Sequence, residues 1–216
     1  MFLTFEGPDG SGKTTQARML TAWLHKQGYT VVLTREPGGT EIGEQIRRVL
    51  HDPHNTAMDA RAEILLYSAA RAQHVAQRIR PALARGEIVI SDRYADSTLA
   101  YQGYGRGLDL ATLRAITQFA TGGLTPDMTL YLDITPEVGL QRRQFSGEEW
   151  NRLDAEALAF HQRVRDGYQE LIRQDPKRWV VIQGLRPVEE VQQEIRGCVQ
   201  ARLLEAAEKA ASSRQV

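Results

Sequence analysis

Cysteine is nearly absent: Cys198 is the only one among 216 residues. An internal disulfide is therefore excluded, the usage suits a reducing cytoplasm, and Cys198 reads as a small helix residue. Long apolar runs are missing as well. No stretch approaches the ~20 apolar residues that cross a bilayer, and no basic segment precedes the short apolar run at the start, so no secretory signal is expected. An excess of one charge is also missing. The 27 Lys and Arg balance the 27 Asp and Glu, which argues against a general electrostatic grip on nucleic acid or an anionic membrane. The histidines, His51 and His54 included, show no metal-ligand spacing, and no Ser/His/Asp or Cys/His set is arguable. Neither an internal repeat nor a domain linker is visible. A chain of this length can bury roughly 70% of its unfolded surface in one core. One domain over 1–205 is expected, with the small, polar stretch 206–216 as a frayed tail.

What is present begins with Gly7-Pro8-Asp9-Gly10-Ser11-Gly12-Lys13-Thr14, which fits the phosphate-loop pattern G-x-x-x-x-G-K-[ST] without a mismatch. The apolar run Phe2–Phe5 before it reads as a buried strand ending at Glu6. Ala17, Leu20, Ala22, Trp23 and Leu24 after it have helical spacing. Strand, glycine loop and helix is the context this pattern needs. Glycines let successive backbone N–H groups converge on an anion, and the helix turns its positive end to the same place. Lys13 reaches the β- and γ-phosphates of a nucleotide, and Thr14 offers its hydroxyl to Mg²⁺.

Short apolar runs and longer periodic segments then alternate. Strands are expected at Phe2–Glu6, Thr30–Thr34, Ile88–Ser91, Met128–Asp133 and Trp179–Gln183, each read as buried on both faces. The alternation implies an α/β fold with a parallel sheet and helices on both faces. Ligands of such sheets collect at the carboxyl ends of the strands. That rim receives the glycine loop, Arg35-Glu36-Pro37-Gly38-Gly39 and Asp92-Arg93-Tyr94. Asp59–Leu83 reads as one long helix. Its stripe of Leu65, Ala69, Ala72, Ala76, Ile79 and Leu83 suits packing on the sheet and a second copy of the helix equally. Tyr67, Arg71, His74 and Arg78 form another line along it.

A carboxylate ending a strand beside a phosphate loop is a hard oxygen partner for Mg²⁺ or its water shell. Asp92 is preferred over Asp133 because Arg93, a bidentate phosphate binder, adjoins it. Asp92 is otherwise a helix N-cap. Arg35 precedes a turn and, with Arg93, points to a second phosphate-bearing ligand. The polar segment Leu140–Asp154 carries Arg142, Arg143, Ser146, Gly147 and Arg152, and reads as a mobile lid or a solvated basic loop. The lid reading answers a need, since Lys13 is the glycine loop's only cation and an added arginine is worth roughly 10³–10⁵ in phosphoryl transfer.

Taken together, Gly7–Thr15, Thr34–Thr40, Asp92-Arg93-Tyr94 with Ser97 and Ala100–Gly103, Met128–Asp133 and Asn151–Asp154 resemble the thymidylate kinase family, in the same order and from about Phe2 to Ile195. The resemblance implies transfer of the ATP γ-phosphate to dTMP with Mg²⁺, a five-stranded parallel sheet, a homodimer and a lid at about 141–153. It implies that Gly7, Asp9, Gly10, Ser11, Gly12, Lys13, Thr14 and Thr15 cradle ATP and that Arg142 stacks on adenine. Thr14 and Asp92 take the metal. Asp9 faces the sugar 3′-hydroxyl of dTMP, and Arg35 and Arg93 grip its phosphate. Tyr101 crowds the 2′ position, while Arg71, Ser97, Thr98 and Gln102 line thymine. Arg152 becomes the lid's catalytic cation. Gly10 stands where some relatives carry an arginine, and Tyr67 stands where the family's stacking ring is phenylalanine. Rival expectations are a kinase for another nucleotide or a deoxynucleoside, and a P-loop switch or motor ATPase.

Overall fold

The computed structural model describes residues 1–145 and 151–212. Five strands, β1 (Phe2–Glu6), β2 (Val31–Arg35), β3 (Ile88–Asp92), β4 (Met128–Asp133) and β5 (Trp179–Gln183), form one parallel sheet in the order β2-β3-β1-β4-β5. Three of the ranges match the sequence reading, β2 is shifted one residue toward its carboxyl end, and β3 runs one residue further. That residue matters, because it places Arg35 of β2 beside Asp92 of β3 in register. Of the central strands, β1 is buried throughout and β3 and β4 up to their terminal aspartates, whereas β2 and β5 lie at the sheet's edges and are only partly covered. The edges were expected to be buried on both faces; an outermost strand lacks a neighbour on one side and is only partly wrapped.

Nine helices among the described residues cover the faces: α1 (Lys13–Lys26), α2 (Glu41–His51), α3 (Ala60–His74), α4 (Arg80–Ala84), α5 (Ala95–Thr98), α6 (Leu110–Thr121), α7 (Pro136–Gln144), α8 (Leu158–Gln174) and α9 (Val188–Ser212). On one face Leu20 and Leu24 of α1 and Ile195 and Val199 of α9 pack on Leu3, Phe5, Ile90 and Leu130. On the other, Phe160, Val164 and Tyr168 of α8 pack with Tyr131, Trp179 and Tyr101. After β1 the chain crosses to the β2 edge, and after β3 it crosses to the β4 side. The crevice opens where these crossovers diverge, at the carboxyl end of β1.

Two π-helical stretches interrupt the helices. Val75–Ile79 joins α3 to α4, and Leu99–Gly105 continues α5. The first revises the long stripe. Leu65 is 58% exposed, and Ala69 and Ala76 are exposed too, but Ile79 is fully buried and Leu83 packs on the core. A wide turn delays the helical phase, so Ile79 turns inward where an unbroken helix would turn Arg78. Pro81, which has no N–H for the ladder, follows directly. The end of the chain differs too. Where a frayed tail was expected over 206–216, α9 remains helical to Ser212, as its Ala, Glu and Lys content favours, and 213–216 lie outside the described residues. No described helix is long and apolar enough to cross a membrane.

Candidate active site

The glycine loop leaves β1 at Glu6 and enters α1 at Lys13. Its backbone is pressed against α7: a Cβ on Gly10, at φ 74°, would lie 2.1 Å from the Gly139 carbonyl oxygen, and one on Gly139 would lie 2.4 Å from that of Asp9. No side chain fits at position 10, so no cation can come from the loop at that point. Lys13, 5% exposed, donates from Nζ to the carbonyls of Gly7 (3.1 Å) and Pro8 (2.7 Å) and to Ser11 Oγ (3.3 Å). Burial, then the charge of Arg93, lowers its pKa to about 8 against the pull of Asp9. Thr14 donates its hydroxyl to Asp92 Oδ2. Asp133, the alternative carboxylate, is held bidentately by Arg165 at 2.9 and 3.0 Å. Asp92 is no N-cap either: α5 begins after Tyr94, with no side-chain cap. Thr14 and Asp92 thus bring two hard oxygens together at the mouth of the loop, a donor set that fits Mg²⁺, which keeps most of its waters.

Arg93 is the hub of the opposite wall. Its backbone is left-handed at φ 70°, unusual for a residue with a side chain. The guanidinium donates from Nη2 to Asp9 Oδ1 at 2.6 Å and Tyr101 Oη at 3.0 Å, and from Nη1 to Ser97 Oγ at 3.1 Å and Tyr168 Oη at 3.3 Å. Tyr101 Oη donates to the other Asp9 oxygen at 2.8 Å. Burial alone would push the Asp9 carboxyl up, but Arg93 and Lys13 outweigh it and hold it well below the usual carboxylate range. The strained backbone is over-determined by this network, as strain at a functional site must be.

A cavity of about 850 Å³ joins the two walls. Asp9, Gly10, Gly12, Lys13, Thr14, Thr15, Asp92 and Arg93 line it, as do Arg35, Tyr67, Arg71, Ser97, Thr98, Tyr101, Gln102, Arg142 and Arg143. Gly7 and Ser11 lie off its surface. Arg35 reaches Glu44 at 3.0 Å, and Arg142 reaches the Gly184 carbonyl at 3.3 Å. Arg71 is 2% exposed and spends three of its five N–H groups, on Glu36 (2.7 Å), Thr98 (2.9 Å) and the Tyr94 carbonyl (3.1 Å).

Arg152 is not among the lining residues. It is buried against Glu63 and the Leu50 carbonyl. Leu153 and Asp154 are buried beside it, and Asp154 accepts from Arg143 Nε at 3.0 Å. The stretch 151–154 is therefore packed down rather than a solvated loop. Ser146 and Gly147 lie outside the described residues.

The family model described as thymidylate kinase matches residues 5–195. The chain belongs to the thymidylate kinase family. It is 54% identical over 211 residues to the thymidylate kinase of Roseiflexus sp. (strain RS-1), with 93% of each chain covered. It is 52% identical over 201 residues to that of Bacillus pumilus (strain SAFR-032), covering 93% of this chain and 95% of the relative. The crystal structure of thymidylate kinase from Ehrlichia chaffeensis superposes with a TM-score of 0.75 at 35% identity, covering 92% of this chain and 98% of that one.

Several residues around this thymidylate kinase site take no role from the sequence alone. Arg47 lines the cavity from α2 and donates to the Pro37 carbonyl at 2.9 Å. His51 lines it too, its pKa lowered to about 3 by burial and then by Arg47, so it is neutral. Glu36 anchors Arg71 and His74. Glu6 is fully buried under Arg93 and accepts from Ser97 Oγ (2.6 Å), Tyr168 Oη (2.7 Å) and the Tyr94 N–H (2.8 Å). Only a charge ending an apolar strand could have flagged Glu6, and nothing in the sequence links Tyr168 to it.

Burial, then Asp96, pushes the Glu6 carboxyl up to about 7. In the unfolded chain such a group titrates near ~4.3. Between those values the folded protein keeps a proton that the unfolded chain has lost. The stability this group contributes is therefore greatest at low pH and is lost as pH rises through about 7. Glu6→Gln should remove that slope. Urea unfolding of both proteins across this range checks it; a wild-type-minus-variant difference that is flat or rises with pH contradicts the assignment.

Proposed function

We infer that this chain transfers the γ-phosphoryl group of ATP to dTMP, giving dTDP and ADP, in the supply of dTTP. The observation that carries the reading is the single cavity with Lys13 and Thr14 on one wall and Arg93 and Tyr101 on the other, tied across by Asp9 of the loop. In this reading the loop N–H groups and Lys13 hold the ATP phosphates, with Arg142 against adenine. Arg93 and Arg35 hold the dTMP phosphate, and Asp9 takes the sugar 3′-hydroxyl. Tyr101 closes the space at the 2′ position. A dTMP phosphate oxygen attacks the γ-phosphorus as the bond to the ADP oxygen breaks. Thr14 and Asp92 would hold Mg²⁺, which supplies charge neutralisation on the ATP phosphates when bound. The chemistry then needs alignment and fixed positive charge more than any covalent step.

A lid is proposed for about 141–153, of which 146–150 lie outside the described residues; it would exclude water that competes as acceptor. Arg142 and Arg143 already line the cavity. For Arg152 to act as the catalytic cation it has to leave Glu63. The site works in a cytoplasmic homodimer, with the exposed Leu65 and Ala69 of α3 and Ala76 of the π-helical stretch against a second copy. Sedimentation at micromolar concentration should give a dimer, and Leu65→Glu should shift it toward monomer; a wild-type monomer removes that part of the proposal.

ATP consumption with dTMP, dUMP, dCMP, AMP, thymidine or no acceptor tests the whole reading. Turnover should be fastest with dTMP, lower with dUMP and lowest with dCMP. Equal turnover without acceptor would indicate an ATPase instead. Tyr67, one helical turn before Arg71 and lining the same cavity, would stack on the base. Its hydroxyl makes no hydrogen bond among the described residues, and burial raises its pKa to well above the ordinary tyrosine value, so it stays neutral. Tyr67→Phe should keep most activity, because stacking uses the ring. Tyr67→Ala should raise the KM for dTMP by about tenfold or more while leaving that for ATP nearly unchanged. An unchanged dTMP KM would make Tyr67 a packing residue only.

A further inference from the structure

Glu63 belongs to no motif, yet it is the best-satisfied carboxylate near the cavity. It lies on α3 one turn before Tyr67, with its side chain 1% exposed. Oε1 accepts from Gln102 Nε2 at 2.8 Å and Arg106 Nε at 3.1 Å, and Oε2 accepts from Arg106 Nη2 at 3.1 Å and from Arg152. Burial alone would raise its pKa, but the hydrogen bonds from Arg106, Gln102 and Arg152 outweigh that and keep it ionised.

An ionised carboxylate only accepts hydrogen bonds. A glutamine amide has a donor end and an acceptor end, and Glu63 can meet only the donor end. Gln102 is 2% exposed and lines the cavity, and its Oε1 takes no hydrogen bond from any described residue. The acceptor left for a ligand is therefore the carbonyl. Arg71, tied to Thr98 one turn before Gln102, offers the same cavity only donors, with two N–H groups left over. A donor and an acceptor on adjoining positions match a pyrimidine edge of carbonyl and ring N–H. They oppose an edge of amino group and bare ring nitrogen at both positions.

We propose that Glu63 is a specificity-determining positioning residue, which pins the Gln102 amide with its carbonyl toward the cavity and so selects a base bearing a ring N–H beside a carbonyl. This rests on the dTMP reading above. It differs from a merely structural ion pair in one respect: its effect on base choice must pass through Gln102.

Calorimetric binding of dTMP and dCMP to wild type, Glu63→Gln, Gln102→Ala and the double variant tests it. A neutral amide at position 63 can accept or donate, so Gln102 becomes free to turn over. The ratio of dTMP to dCMP affinity should fall at least about tenfold in Glu63→Gln. In the Gln102→Ala background the same substitution should leave the ratio unchanged. A ratio that Glu63→Gln does not move, or moves equally in both backgrounds, overturns the proposal. If wild type binds neither nucleotide, the dTMP reading has failed before any variant is compared. Should Glu63→Gln not fold, the side-chain NH₂ resonances of Gln102 in the wild type, assigned with Gln102→Ala, decide the matter. A pinned amide exchanges slowly with solvent before and after dTMP binds; one that exchanges freely, or is released by dTMP, overturns the proposal.

Discussion

Lys13→Ala is expected to lower phosphoryl transfer by about 10³-fold or more while the protein stays folded. Position 10 cannot carry a second cation, because Gly10 lies against the Gly139 carbonyl. Arg93, on the far wall, is committed to Asp9, and Arg152 to Glu63. Nothing else in the loop can neutralise the ATP phosphates. The folded state has less at stake. The ammonium is buried among two carbonyls and a hydroxyl, and burial is the first cause of its lowered pKa. Its desolvation thus offsets much of what those hydrogen bonds contribute. Carbonyls that lose it can take up water in the cavity. Thermal unfolding should shift by only a few degrees, on the order of 1 kcal/mol for a chain of this size. Lys13→Arg should be nearly as inactive, since a guanidinium does not fit a 5%-exposed slot shaped for an ammonium. The check is single-turnover γ-phosphate transfer beside a melting curve. Near-wild-type turnover in a folded Lys13→Ala protein would sink the kinase reading.

Much of this site is legible in the sequence because two of its walls are local. The glycine loop and Asp92-Arg93 are contiguous segments, and each directly follows a strand whose apolar run is easily read. The parallel sheet then brings their ends to one rim, and the Arg35–Asp92 register follows from strand pairing. What stayed hidden is long-range. Glu6 and Tyr168 are 162 residues apart and meet only through folding. Glu63 draws on Gln102, Arg106 and Arg152 from three separate turns. Buried carboxylates of this kind leave no periodic signal, because one charged residue on an otherwise mixed helix face looks like a solvated one. The change of phase after α3 is hidden for a related reason. A π turn adds to the helical period without changing composition, so Ile79 joined an apolar stripe on paper and the core in the folded chain.

Arg93 separates what holds the site together from what holds substrate. Arg93→Ala should lower kcat/KM for dTMP by about 10²–10³, and it should also destabilise the protein. The guanidinium is the counter-charge for Asp9 and lies 4.0 Å from Glu6. Without it both carboxylates titrate higher, so the penalty is felt above their new pKa values and shrinks as pH falls and they protonate. Breaking a well-buried pair costs about 3–5 kcal/mol, and the 15% exposure of Arg93 and 25% of Asp9 place this case below that range. Loss of activity in the alanine variant is therefore ambiguous on its own. Arg93→Lys resolves it. An ammonium keeps the charge beside Asp9 and so most of the stability, but it cannot hold Asp9, Tyr101 and Ser97 with one planar fork and still face a phosphate. The lysine variant should unfold close to wild type in urea and still lose about tenfold or more in the KM for dTMP, with the KM for ATP nearly unchanged. If Arg93→Lys leaves the dTMP KM where it was, Arg93 is a scaffold for Asp9, and the phosphate of the acceptor is held by Arg35 and Arg47 instead.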